Sequence, residues 1–222
     1  MKKILKKIYR KTQSLFKRIR IFFKDIGNKL KYGPAAPVYM ELIWVDPGEI
    51  TTALGKSEVL EATGMHRNLA SGVVVDWKSV AEPYPLEDEF RIRYCHMHWV
   101  EGKSWEELGV FQHMQQTRKY GNWPLSKIKA RFEMLDRAYQ ETKNLGRLKT
   151  RKEMDPGNFR EKDGILVHID DRGKPVFGGN GFHRLSISKA LQLEKIPACV
   201  GMVDKGAIEH LKKYRQKPNS FN

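Results

Sequence analysis

Cysteine is almost missing from this chain of 222 residues: Cys95 and Cys199 are the only two. That excludes a disulfide-stapled scaffold and any zinc site built mainly on thiolates. Long apolar runs are missing as well. None approaches the ~20 residues that a membrane-spanning helix needs. Acidic residues are scarce at one end: residues 1–33 contain Asp25 as their single acid. Internal repeats and low-complexity stretches are absent beyond that basic arm.

What is present is positive charge, unevenly placed. The formal net charge is +15, and nine lysines and three arginines in residues 1–33 give that arm +11 of it. The body is left nearly balanced. With 40% hydrophobic residues, 10% of the chain being aromatic, it has enough apolar side chains for a packed core. Arm and body therefore call for separate explanations.

In the arm, Ile4, Leu5, Ile8, Leu15, Phe16, Ile19, Phe22, Phe23, Ile26 and Leu30 step by threes and fours, with Thr12 filling a gap. This spacing predicts one helix with an apolar stripe and lysine-rich flanks, stopped by Gly33-Pro34. Such a helix suits an anionic membrane surface. The alternatives are packing of the stripe on the body or a partner chain, and neutralisation of nucleic-acid phosphates.

In the body, residues 38–45 read as a strand, 57–63 as a short helix, 73–80 as an extended segment and 83–85 as a loop. A helix is expected from Leu86 through Val100. Ser104 and Glu107 form a capping-box pair at the start of another, and Pro124 opens a longer one ending at Gly146. The C-terminal third then runs strand (165–169), turn, strand (175–177), glycine loop, helix from His183, and a final strand (198–203). The fold class expected is α+β: residues 1–33 as a basic amphipathic helix, and 34–222 as one α+β domain with a helical segment before its C-terminal core.

A glycine loop feeding a helix start is an anion-site candidate, because glycines admit close backbone approach and the helix dipole favours negative charge. The candidate phosphate- or nucleotide-binding residues are Gly179, Asn180, Gly181, His183, Arg184 and Ser186, with Ser188 also near. The competing reading is a glycine turn needed for packing, with Arg184 paired to an acid such as Asp170 or Asp171. His66-Arg67, two residues after Gly64, repeats the Gly-x-His-Arg flavour; without a hairpin before it the match reads as coincidence, the alternative being that it reaches the same ligand. His96 and His98 would share a face only on a strand, whereas their surroundings are helical. Asp170, Asp171 and Glu101 are carboxylates available to magnesium or to base catalysis, though no spacing singles them out.

The segment 165–203, with Gly181-Phe182-His183-Arg184-Leu185 followed by Leu193-Glu194-Lys195-Ile196-Pro197, resembles the core of the ParB/sulfiredoxin superfamily. The resemblance places that core at about 160–215 and implies nucleotide phosphates on Gly181, His183 and Arg184. It further implies magnesium accompanying a nucleoside triphosphate, and phosphoryl transfer or NTP hydrolysis if the protein is catalytic. Tyr94, Val100-Glu101-Gly102 and Ser104-Trp105 are similar to a pattern upstream of such cores. The chain departs from the superfamily at Phe182, which stands where sulfiredoxins carry their catalytic cysteine and partition proteins an acid. Sulfinic-acid reduction is therefore not expected. The readings carried forward are a nucleotide- or phosphate-binding protein, a nucleic-acid-binding or nuclease-like protein, and a membrane-docked non-enzymatic scaffold. The expected location is cytoplasmic, or peripheral at the inner face of the membrane.

Overall fold

The computed structural model describes residues 19–219. It is a mixed α/β structure around a seven-stranded sheet. The strands are β1 (Leu42–Val45), β2 (Thr52–Ala53), β3 (Val74–Val75), β4 (Tyr84–Pro85), β5 (Ile165–Ile169), β6 (Pro175–Phe177) and β7 (Ile196–Asp204). They lie in the order β1-β7-β5-β6-β2-β4, and β3 pairs with the far end of β7.

Both central strands, β5 and β7, are buried at every residue. The continuous apolar runs ILVHI and IPACVGMVD fit this placement, since a strand covered on both faces has no solvent side to alternate with. β5 and β6 form the antiparallel hairpin expected from Asp171-Arg172-Gly173-Lys174. The chain then crosses through a helix to β7, which runs parallel to β5. The register shifts between Val167 and Ile169, where β7 inserts one extra residue. The bulge leaves the Met202 amide outside the ladder, and His168 Nδ1 accepts it at 2.8 Å. Gly201 is required beside it, because a Cβ there would lie 2.2 Å from His168 Nδ1.

The helices are α1 (residues 19–32 of the arm), α2 (Lys56–Thr63), α3 (Phe90–Trp99), α4 (Val110–Gln116), α5 (Leu125–Leu145), α6 (Arg151–Met154), α7 (Phe182–Ala190) and α8 (Leu211–Arg215). Leu185 of α7 shares one buried cluster with Ile165, Val167, Ala198 and Val200, to which α8 adds Leu211 and Tyr214. A second cluster gathers Tyr94, Cys95, Trp105, Val110, Phe111, Met114, Ile128 and Phe132 from α3, α4 and α5. α3 packs on α7 and joins the two.

Several expectations need correction. The strand over 38–45 is shorter, because Tyr39 and Met40 sit in a turn and Met40 adopts φ +54°. The segment 73–80 is extended only at β3. It then tightens into a 3₁₀ turn, Trp77–Ser79, whose Lys78 amide donates to Asp76. The loop at 83–85 contains β4, paired with β2. Ser104 and Glu107 make both capping-box bonds (2.7 and 3.2 Å), but these close a turn. The helix itself begins at Val110, after Gly109 takes φ +63°. The arm is helical from residue 19 and stops at Gly33 as expected. The apolar positions Ile4 to Phe16 lie outside the described residues.

Candidate functional site

The glycine loop leaves β6 but keeps pairing with β5. Gly178 N–H donates to the Leu166 carbonyl (2.8 Å), and Leu166 N–H donates to the Asn180 carbonyl (3.1 Å). Asn180 Nδ2 ties the loop to the Gly164 carbonyl at 2.9 Å. Gly181 then turns the chain into α7 with φ +86°, its α-carbon so close to β5 that a Cβ would stand 2.8 Å from Ile165 Cα. Among the described residues no side chain caps the first turn of α7. Its leading amides and the positive end of its dipole are thus left for a ligand.

This helix start opens into a cleft of about 560 Å³ that also receives Arg67, Arg91 from α3, Lys119, and Arg131 from α5. Among the described residues none of these four cations is ion-paired. The Arg67 Nη1 donates to the Gly179 carbonyl, while its Nε is buried without a partner. Burial, then the neighbouring Arg91, lowers the Arg67 pKa. The Arg91 guanidinium covers the Phe182 ring at 3.6 Å. Glu89, the single acid of the cleft wall, accepts from the Tyr84 hydroxyl at 2.5 Å.

His183 faces the same cleft from α7, and its Nε2 lies 2.9 Å from the Tyr94 hydroxyl. Burial, followed by the charges of Arg131, Arg91 and Lys119, pushes the imidazole down to about 4, so it is neutral near pH 7. Burial raises the Tyr94 phenol, which keeps its proton. The two groups share one hydrogen bond, which holds His183 against α3 as a neutral imidazole.

Arg184 behaves differently. Its side chain turns back to the Lys149 carbonyl and comes within 3.8 Å of Glu161. Burial brings its pKa down to about 10, which leaves it charged. Glu161 is 1% exposed and accepts the Arg151 amide at 3.0 Å. Arg184 thus contributes to the cleft wall beside a buried carboxylate, and its buried Nη1 makes no hydrogen bond among the described residues. Ser186 is not brought to the cleft: it is buried, and its hydroxyl donates to the Phe182 carbonyl one turn back at 2.9 Å. Ser188 does the same toward Arg184.

Of the sequence candidates, the structure brings together Gly179, Asn180, Gly181, His183 and the wall contributed by Arg184. It adds Arg67, which the Gly64-Met65-His66-Arg67 pattern had marked. Arg91, Lys119 and Arg131 were invisible as site residues, because each looked like an ordinary solvated cation of a nearly neutral body. His96 and His98 sit on helix α3 as the spacing predicted, and His98 Nε2 pairs with Asp136 at 3.0 Å. Asp170 receives the amides of its own turn, and Glu101 pairs with Lys103. Among the described residues no group of three or more His, Cys, Asp or Glu side chains is placed to hold a metal. Cys199 and Cys95 are buried thiols, raised by desolvation.

No family model matches the chain, and neither a curated protein nor a solved structure shows significant similarity to it.

Proposed function

We propose that this protein binds a phosphate-bearing ligand, a nucleoside triphosphate in the first instance, at the glycine loop and the start of α7. The observation that carries the proposal is the gathering of four unpaired cations around an uncapped helix N-terminus. Like charges repel, and the partial burial of Arg67 and Arg131 deepens the cost, while Arg91 and Lys119 stand exposed at the rim. That cost is recovered when an anion enters and takes the amides and guanidiniums together. The order hairpin, glycine loop, helix and strand supports the same ligand class through its resemblance to the ParB/sulfiredoxin superfamily, in which the corresponding loop holds nucleotide phosphates.

The roles divide as follows. The loop backbone at 179–181 and the first amides of α7 receive phosphate oxygens, His183 adds a neutral imidazole, and Arg67, Arg91, Lys119 and Arg131 supply charge. Arg184 holds the helix start in place through Lys149 and Glu161. Magnesium would arrive on the triphosphate, because Glu89 is the one carboxylate at hand and it already accepts from Tyr84. The volume lies within the usual range of ~300–1,000 Å³ for small-molecule sites. If the site is catalytic, phosphoryl transfer or hydrolysis fits its electrostatics, with the cations stabilising charge on the transferred group.

The test is a thermal-shift screen of the full chain against ATP, CTP, GTP and their diphosphates, with and without magnesium. A ligand that binds only the folded state raises the melting temperature. The expected result is a shift for at least one nucleotide that Arg131→Ala reduces. Arg131 is the chosen position because it serves no buried carboxylate, unlike Arg184. No shift with any nucleotide, together with salt-sensitive retention on duplex DNA, would replace this reading with the nucleic-acid one. Neither kind of binding would favour the scaffold.

A further inference from the structure

The described part of the arm docks on the body through its polar side. Ile21, Lys24, Asp25, Asn28 and Tyr32 are the inward residues of α1. Lys24 Nζ donates to the carbonyls of Leu69 (3.2 Å) and Ser71 (3.0 Å). Asn28 Nδ2 donates to Pro37 and Gly72. Asp25 is buried, accepts the Tyr39 amide at 2.8 Å and pairs with Arg160 at 2.8 Å. Ile21 and Tyr32 pack on the core from this side, but polar side chains make the hydrogen bonds that seat the helix, and its main apolar stripe is not the buried one, unlike an ordinary amphipathic helix on a globular core.

The apolar stripe consequently points outward. Phe22 is 61% exposed, Phe23 66% and Leu30 84%, with Ile19 and Ile26 beside them. At about 100° per residue these five fall within an arc of about 100°, opposite the docked face. Arg20 and Lys31 flank one side of the stripe and Lys29 the other, all exposed. The only acid of residues 1–33 is the buried Asp25, so the outward surface carries cations alone. Upstream, the sequence repeats the same apolar spacing and the same lysine excess.

We infer that the outward stripe of α1 is a docking surface for an anionic lipid membrane, on which the protein lies peripherally. Charge selects this occupant. A second copy of the chain would bring its own arm of +11 against this one, whereas an anionic bilayer offers negative headgroups to the lysines and acyl chains to the phenylalanines. No helix of the described residues is long and apolar enough to cross a membrane, so the stripe would lie in the interface plane. The hydrogen bonds of Lys24, Asp25 and Asn28 fix the orientation of the body above that plane.

Co-sedimentation of the full chain with phosphatidylcholine vesicles, with and without phosphatidylglycerol, tests the assignment. Binding is expected to the anionic vesicles only, to weaken as salt is raised, and to fall by about tenfold or more in Phe22→Ser/Phe23→Ser. Both side chains are exposed, so the double variant should melt like the parent. Arg131→Ala, which alters the cleft, should bind vesicles unchanged; its loss of binding would move the lipid contact to the cleft. Equal sedimentation of the double variant and the parent would overturn the inference. So would equal binding to pure phosphatidylcholine, or a dimer in the ultracentrifuge that the double variant dissolves and vesicles do not bind.

Discussion

Replacing Gly181 by alanine is expected to damage stability and ligand binding together. Two costs add. An L-residue at φ +86° gives up about 1–2 kcal/mol of backbone energy. The new methyl would also stand 2.8 Å from Ile165 Cα and 3.1 Å from Ile165 N. Those atoms are backbone of the central strand β5 and cannot rotate aside, so an overpacking cost of about 1–3 kcal/mol follows. The total is roughly 2–5 kcal/mol, a large share of the stability of an ordinary domain. Gly146→Ala is the control. It caps α5 at φ +69°, and nothing lies within 4 Å of its built Cβ, so only the backbone cost of about 1–2 kcal/mol applies. Urea unfolding of both variants, read as midpoint shifts at constant slope, measures the difference. Any nucleotide-induced thermal shift should vanish in Gly181→Ala and persist in Gly146→Ala. Equal destabilisation by the two substitutions would refute the argument that loop and strand are in contact here.

Acidification should destabilise the fold well before its carboxylates titrate. Burial holds His168 down to about 3 and His183 down to about 4, against 6.5 when unfolded. The unfolded chain therefore takes up protons below pH 6.5 while the folded chain does not, and stability is present above 6.5 and lost as pH falls. Each histidine contributes on the order of 3 kcal/mol of that loss by pH 4, and urea midpoints that stay constant from pH 7 to 5 would count against both placements. Arg184→Ala should act on stability first, because Glu161 then keeps its burial without its cation; a variant that melts like the parent but loses nucleotide binding would instead make Arg184 a direct phosphate ligand.

The C-terminal unit was legible residue by residue. Unbroken apolar runs, a turn sequence, three clustered glycines and a proline-led strand are local signals, and each maps onto β5, β6, the loop, α7 or β7. The middle of the chain was less so. Ser104 and Glu107 satisfied a helix signature at a single turn, because αL Gly109 breaks the chain before a helix can propagate. Tyr84-Pro85 reads as loop and pairs as an edge strand, since two residues carry no periodicity.

The sequence by itself determined the glycine loop before a helix, the concentration of charge in the arm, and the spacing of its apolar stripe. These depend on backbone freedom, composition and helical period, which are properties of neighbouring residues. Only the tertiary structure decided which cations surround the loop: Arg67, Arg91, Lys119 and Arg131 come from separate segments, and Arg184 turns back toward Lys149 and Glu161. It also decided which face of α1 meets solvent. That choice rests on three polar side chains finding carbonyl, amide and guanidinium partners 9 to 135 residues away, and no local pattern encodes those partners.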